Sequence, residues 1–194
     1  MSLDPSIAAD MKKLDALLRG HVAPRLGRKK AEARILNLAC GRCDEADTLV
    51  SAIKAGTEAD QVKLVGADIR IREILQARER TSKLGAEFLL EDARQLGAHK
   101  ELGEFDLVFM RHQNFWHGSE VWKEIFDTGL AKLSDDGLLV ITSYFDKEHQ
   151  LAIDALTDLG AELVETKQNE LSRGLSDAPG KSVDRHLAIF RKPK

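Results

Sequence analysis

Four short stretches of this chain carry chemically active residue types at the end of an apolar run. Cys40-Gly41-Arg42-Cys43 follows Ile35 to Leu38, a run of strand length. It precedes Ala46, Leu49, Val50 and Ile53, which are spaced for one helix face. A strand that turns at glycine into a helix presents main-chain amides to a ligand. The glycine allows close approach, and the helix N-terminus favours anionic groups. Asp68 closes a second run, Val62 to Ala67, at the position where α/β folds grip a ribose diol. Asp92 follows a third run, Phe88 to Leu90, and Arg111-His112 a fourth, Phe105 to Met110. Histidine titrates near neutral pH, which makes His112 a candidate base or substrate orienter.

The two cysteines admit other chemistry. A C-x-x-C at a strand-to-helix junction is a redox signature in a thioredoxin-like setting. Such a fold needs a cis-proline facing the cysteines, and no proline lies between Pro24 and Pro179. Zinc is a second rival, but one C-x-x-C supplies two ligands where a structural site wants four. His112 and His117 would have to complete the set by chance of folding. The remaining reading is two small residues tolerated in a tight turn, with thiols open to oxidation.

The ordered set resembles the cofactor site of class I S-adenosylmethionine-dependent methyltransferases. Leu38 to Cys43 sits at that family's glycine-rich first motif, and Asp68 at its ribose-binding acid. Phe88 to Ala93 looks like the third-strand motif, whose acid meets the adenine amino group. Phe105 to His112 looks like the fourth strand, whose end faces the methyl group. Leu133 to Ile141 resembles the loop into the fifth strand. The resemblance implies that S-adenosylmethionine is held by Asn37, Ala39, Cys40, Gly41, Asp68, Ile69, Asp92, Ala93 and Arg111, with His112 as the catalytic residue. Two positions depart from the pattern. Gly41 stands alone where the family has several glycines. Asn37 stands where it often has an acid, and an amide lacks the charge that attracts the cofactor's ammonium.

The implied activity is methyl transfer to a small-molecule acceptor. The Asp/Asn-Pro-Pro-aromatic tetrapeptide of amino-methylating nucleic-acid enzymes is absent after the fourth strand, so no DNA substrate is expected. No metal is expected either, because Arg111 at the fourth-strand end repels a cation. Phe115, Trp116 and Tyr144 are candidate pocket walls. One alternative is a non-catalytic S-adenosylmethionine-binding module acting through a partner. Another is a nicotinamide-dependent oxidoreductase, whose G-x-G-x-x-G asks for three glycines where only Gly41 is present.

These motifs need a sheet to hold them together. Asp4-Pro5 reads as a helix start, followed by Ile7, Met11, Leu14, Leu18 and Val22 at helical steps up to Pro24. This helix is expected at the sheet edge or as a lid. Arg28-Lys29-Lys30 reads as a solvated linker and Asp106 as structural. An amphipathic helix with Ile71, Ile74 and Leu75 is expected to end near Gly85; others are expected over Val121 to Leu130, and from Asp146, read as a cap, to Leu159. Strands are expected at Leu138 to Thr142, Glu162 to Glu170 and Arg185 to Arg191, with a mobile loop from Leu171 to Ser182. The expected fold is α/β: a three-layer αβα sandwich with a seven-stranded, mostly parallel sheet. The order 3-2-1-4-5-7-6, with an antiparallel last strand, comes from the resemblance. One domain over 1–194 is expected, with 1–27 as a helical extension.

The net charge of -3 gives no electrostatic case for nucleic acid or an anionic membrane. No apolar run reaches membrane-spanning length and the first residues do not read as a signal peptide, so a cytoplasmic protein is expected.

Overall fold

The computed structural model describes residues 3–193, so the outermost residues of the expected 1–194 domain lie outside the described ones. Its centre is β4 (Phe105–Arg111), an apolar run buried on both faces. Leu107 and Phe109 enter one core, Val108 and Met110 the other, as alternation along a strand in a three-layer fold requires. Parallel to it on one side run β1 (Glu32–Leu38), β2 (Gln61–Asp68) and β3 (Glu87–Leu90). On the other side lie β5 (Leu133–Ser143), β9 (His186–Arg191) and β6 (Glu162–Gln168). The sheet order is β3-β2-β1-β4-β5-β9-β6. β9 is antiparallel to both of its neighbours. This is the expected topology, with the seventh sheet strand numbered β9 because a small hairpin intervenes.

Helices α1 (Pro5–Leu17), α2 (Ala46–Thr57) and α3 (Ile71–Arg80) feed the first core; α4 (Ser119–Ala131) and α5 (Asp146–Asp158) feed the second. Asp4 caps α1 by accepting from the Ser6 amide at 2.8 Å. The helix runs on through a wide turn at Leu18–Val22 and a tight one at Ala23–Arg25. Gly56 of α2 is what lets that tail dock. A Cβ there would lie 2.2 Å from Ala23 Cβ and 2.9 Å from Ala23 Cα. Gly56→Ala is therefore expected to destabilise by about 1–3 kcal/mol, the usual cost of overpacking, although alanine is the better helix former. A lower urea midpoint at unchanged slope would show it; an unchanged midpoint would contradict it.

Four expectations need correction. Lys30 is no solvated linker residue: its ammonium pairs with Asp106, which also accepts from the Arg34 amide at 2.8 Å. Asp146 does not cap α5; Phe145 occupies that position, and Asp146 instead pairs with Arg185 and His186 at 2.5 and 2.6 Å. On α3, Ile71 and Leu75 face outward, and only Ile74 and Ala77 are buried. The segment read as a mobile loop contains a hairpin, β7 (Arg173–Gly174) with β8 (Ser182–Val183). Its Arg173 is tied to Asp10 of α1 at 2.5 Å. Among the described residues, no helix is long and apolar enough to cross a membrane.

Candidate cofactor and active site

A cleft of about 980 Å³ opens at the carboxyl ends of β1 to β4. Its floor is the turn after β1, where Ala39, Gly41 and Cys43 have φ of 52°, 55° and 50°. Gly41 is needed there for space as well as for φ. Its N–H donates to Asp68 Oδ2 at 2.8 Å. Its open Cα face is covered by the Arg70 guanidinium, and a Cβ would lie 2.9 Å from Arg70 Nη2.

Asp68 at the end of β2 accepts from Arg70 Nε and the Arg70 amide, both at 2.9 Å. Burial pushes this carboxyl up, but the bonds from Arg70 and Gly41 outweigh burial and hold it below the usual carboxylate range. Asp92 repeats the device one strand further on. Arg94 Nη2 sits 2.6 Å from its Oδ2, and that bond holds the carboxyl low. Two ionised carboxylates thus stand at successive strand ends, each gripped by the arginine two positions later. Cys40 and Cys43 are buried free thiols. The hydrogen bond to Cys40, with burial, pushes the Cys43 thiol up, away from the thiolate that redox chemistry or zinc requires.

The other end of the cleft is built around Asp184, in the loop between β8 and β9. Arg111 Nε and Nη2 donate to it at 2.9 and 2.6 Å, and Thr142 Oγ1 at 2.7 Å. Burial would raise this carboxyl, but Arg111 and His112 outweigh it and hold it far below the ordinary range. His112, at φ 60°, places Nε2 2.9 Å from Asp184 Oδ1 and stacks on Tyr144 at a centroid distance of 3.8 Å. Burial lowers the His112 pKa and the carboxylate only partly restores it, so the ring is neutral at pH 7. The Asp184 amide donates to Nε2 at 3.1 Å, so Nε2 meets both the main chain and the carboxylate of Asp184. Nδ1 has no hydrogen-bond partner among the described residues.

No protein-family model matches the sequence, and comparison with curated proteins found no match. Solved structures match over nearly the whole chain. One is the N-methyltransferase NodS from Bradyrhizobium japonicum, at 17% identity and TM-score 0.68, covering 96% of this chain and 98% of that one. Another is an S-adenosylmethionine-dependent methyltransferase from Clostridium acetobutylicum, at 10% identity and TM-score 0.64, covering 100% and 94%. An rRNA methylase from Streptococcus thermophilus matches at 14% identity and TM-score 0.60, covering 100% of both chains. The chain has the class I methyltransferase fold. At these identities the likeness is one of architecture.

Within that methyltransferase fold, Ala39, Cys40, Gly41, Asp68, Ile69, Asp92, Ala93, Arg111 and His112 all line the one cleft. Asn37 does not. It is fully buried behind the floor, where its Nδ2 donates to Glu45 Oε1 at 2.6 Å. Tyr144 is on the wall. Phe115 and Trp116 are not: Phe115 packs in the core against Phe126, and Trp116 lies beside Phe145. Beside Tyr144, the cleft is lined by Trp122 of α4, which sequence reasoning assigned to a helix without a role. Glu45 and Asp184 were also missed. Glu45 had a local signal, an acid beside the glycine turn. Asp184 had none, because its partner His112 is 72 positions away.

Proposed function

We propose that the cleft binds S-adenosylmethionine and that the protein transfers its methyl group to a small-molecule acceptor. The observation that carries this reading is the convergence of Gly41, Asp68, Asp92 and His112 on one cleft from four neighbouring strand ends. The residues fit the group. Gly41 offers a main chain that ligand atoms can approach once Arg70 swings aside. Asp68 and Asp92 are ionised acceptors, suited to ribose hydroxyls and an adenine amino group. The volume of about 980 Å³ suits a nucleoside-sized ligand with room for an acceptor.

When bound, the cofactor supplies a methyl group on a cationic sulfur, which leaves as a neutral thioether. The protein's part is positioning, exclusion of water and removal of one proton. The His112 ring, held by Asp184 through Nε2, takes that proton from an acceptor hydroxyl or ammonium. Arg111, locked on Asp184, orients the floor beneath it. Ile7 of α1 and Leu175 of the hairpin line the same cleft, and the Asp10–Arg173 bridge ties their two elements together. A rim narrowed in this way supports a small acceptor rather than a polymer.

Titration calorimetry tests the reading. S-adenosylhomocysteine should bind, and Asp68→Ala should weaken it by about 1.5–3 kcal/mol, the usual worth of hydrogen bonds to a charged group. Binding of a nicotinamide dinucleotide, with no binding of either adenosyl compound, would overturn it.

A further inference from the structure

Glu45 is a buried carboxylate that lacks a complete set of partners. It precedes α2 on the cleft wall, and its side chain is 4% exposed. Oε1 accepts from Asn37 Nδ2 at 2.6 Å, which fixes the carboxylate in place. Oε2 faces Arg111 Nη1 at 3.6 Å, beyond hydrogen-bond range. Arg111 is already committed, since two of its nitrogens donate to Asp184. The other cations near this loop are directed elsewhere: Arg42 pairs with Asp44, and Arg80 bonds the Cys43 carbonyl.

Charge counting sharpens the point. Two carboxylates, Asp184 and Glu45, face one guanidinium, Arg111, whose bonds go to Asp184. The partner that best completes a carboxylate held in this way is a cation. It must also have an N–H to give, because what Oε2 lacks is a hydrogen-bond donor.

We infer that Glu45 binds the ammonium of the amino-acid end of the cleft's ligand. This assignment rests on the adenosyl reading above and names the residue that recognises the ligand's charge. Asn37 contributes by holding the carboxylate. A sulfonium satisfies the charge but offers no N–H, so the amino group is the ligand's one feature that meets both needs.

The test is titration of Glu45→Gln against three probes, S-adenosylmethionine, S-adenosylhomocysteine and 5′-methylthioadenosine, the last of which has no amino-acid part. The variant keeps the shape and removes the charge. Affinity for the first two should fall about 10- to 100-fold, the equivalent of losing a charge-assisted hydrogen bond, while methylthioadenosine binds as before. Equal loss on all three probes, or no loss, overturns the assignment. So does a loss confined to S-adenosylmethionine, because that would make the sulfonium the cation held. A second measurement needs no variant: the deamino analogue of S-adenosylhomocysteine should bind the unaltered protein about 10- to 100-fold more weakly than its parent, and equal binding overturns the assignment. If the unaltered protein binds no adenosyl compound, the adenosyl reading itself has failed. That result is distinct from tight binding that ignores Glu45.

Discussion

Asp184→Ala is expected to lower the unfolding free energy by about 3–5 kcal/mol, the cost of breaking a buried ion pair from one side. The side chain is 2% exposed and accepts two bonds from Arg111 and one from Thr142. Without it, the Arg111 guanidinium keeps only Glu45, at 3.6 Å, and the Thr142 hydroxyl loses its acceptor. Asp184 also sits at φ 48°, where aspartate and asparagine are tolerated and alanine is strained. Asp184→Asn keeps that tolerance, so the difference between the two variants separates backbone strain from lost charge. Arg111→Met on the Asp184→Ala background should recover part of the loss, because no buried cation is then left unpaired.

The acid limb provides a further check on Asp184. Its folded carboxyl is held below the ordinary 3.8. As pH falls from about 4, the unfolded chain takes the proton first and the native state loses stability. The Asp184→Ala variant should lack that share of the acid dependence. Urea melts at several pH values measure both effects. A midpoint in Asp184→Ala that matches the unaltered protein would show that the network holds nothing.

Local physics decided what could be read from the sequence. β4 was legible because a strand buried on both faces has to be a continuous apolar run. α2 was legible because Ala46, Leu49 and Ile53 must share a face to reach the sheet. The strand order was available only through the family resemblance, since alternation along β9 does not say which strands flank it. The errors came where a side chain answers to a partner far along the chain. Lys30 looked like part of a solvated run until Asp106 was placed beside it, and Asp146 looked like a cap until Arg185 and His186 reached it. Pro179 and Gly180 do lie in the connection between the hairpin's two strands, but no local pattern could disclose the bridge from Arg173 to Asp10. The Phe115 and Trp116 assignments failed for a related reason. A tight turn at Phe115–His117 sends Phe115 inward and leaves the cleft wall to Trp122 on the next helix.

Once an acceptor is in hand, His112→Ala is expected to slow methyl transfer by about 10²- to 10⁴-fold, the typical worth of a positioned base. Affinity for S-adenosylhomocysteine should change little, because in the proposed role the ring is held by Asp184 and serves the acceptor. The pH profile distinguishes this role from packing. The base works unprotonated, and burial holds its pKa below the ordinary 6.5. The acid limb of the rate should therefore have its midpoint below pH 6.5, and the limb should disappear in the variant. His112→Gln keeps much of the volume against Tyr144 and cannot accept the proton at neutral pH, so it should be as slow as alanine if the ring is the base. Recovery of the rate by glutamine would reduce His112 to a spacer for Tyr144. Weaker cofactor binding with turnover of bound cofactor intact would instead place the ring against the adenosine.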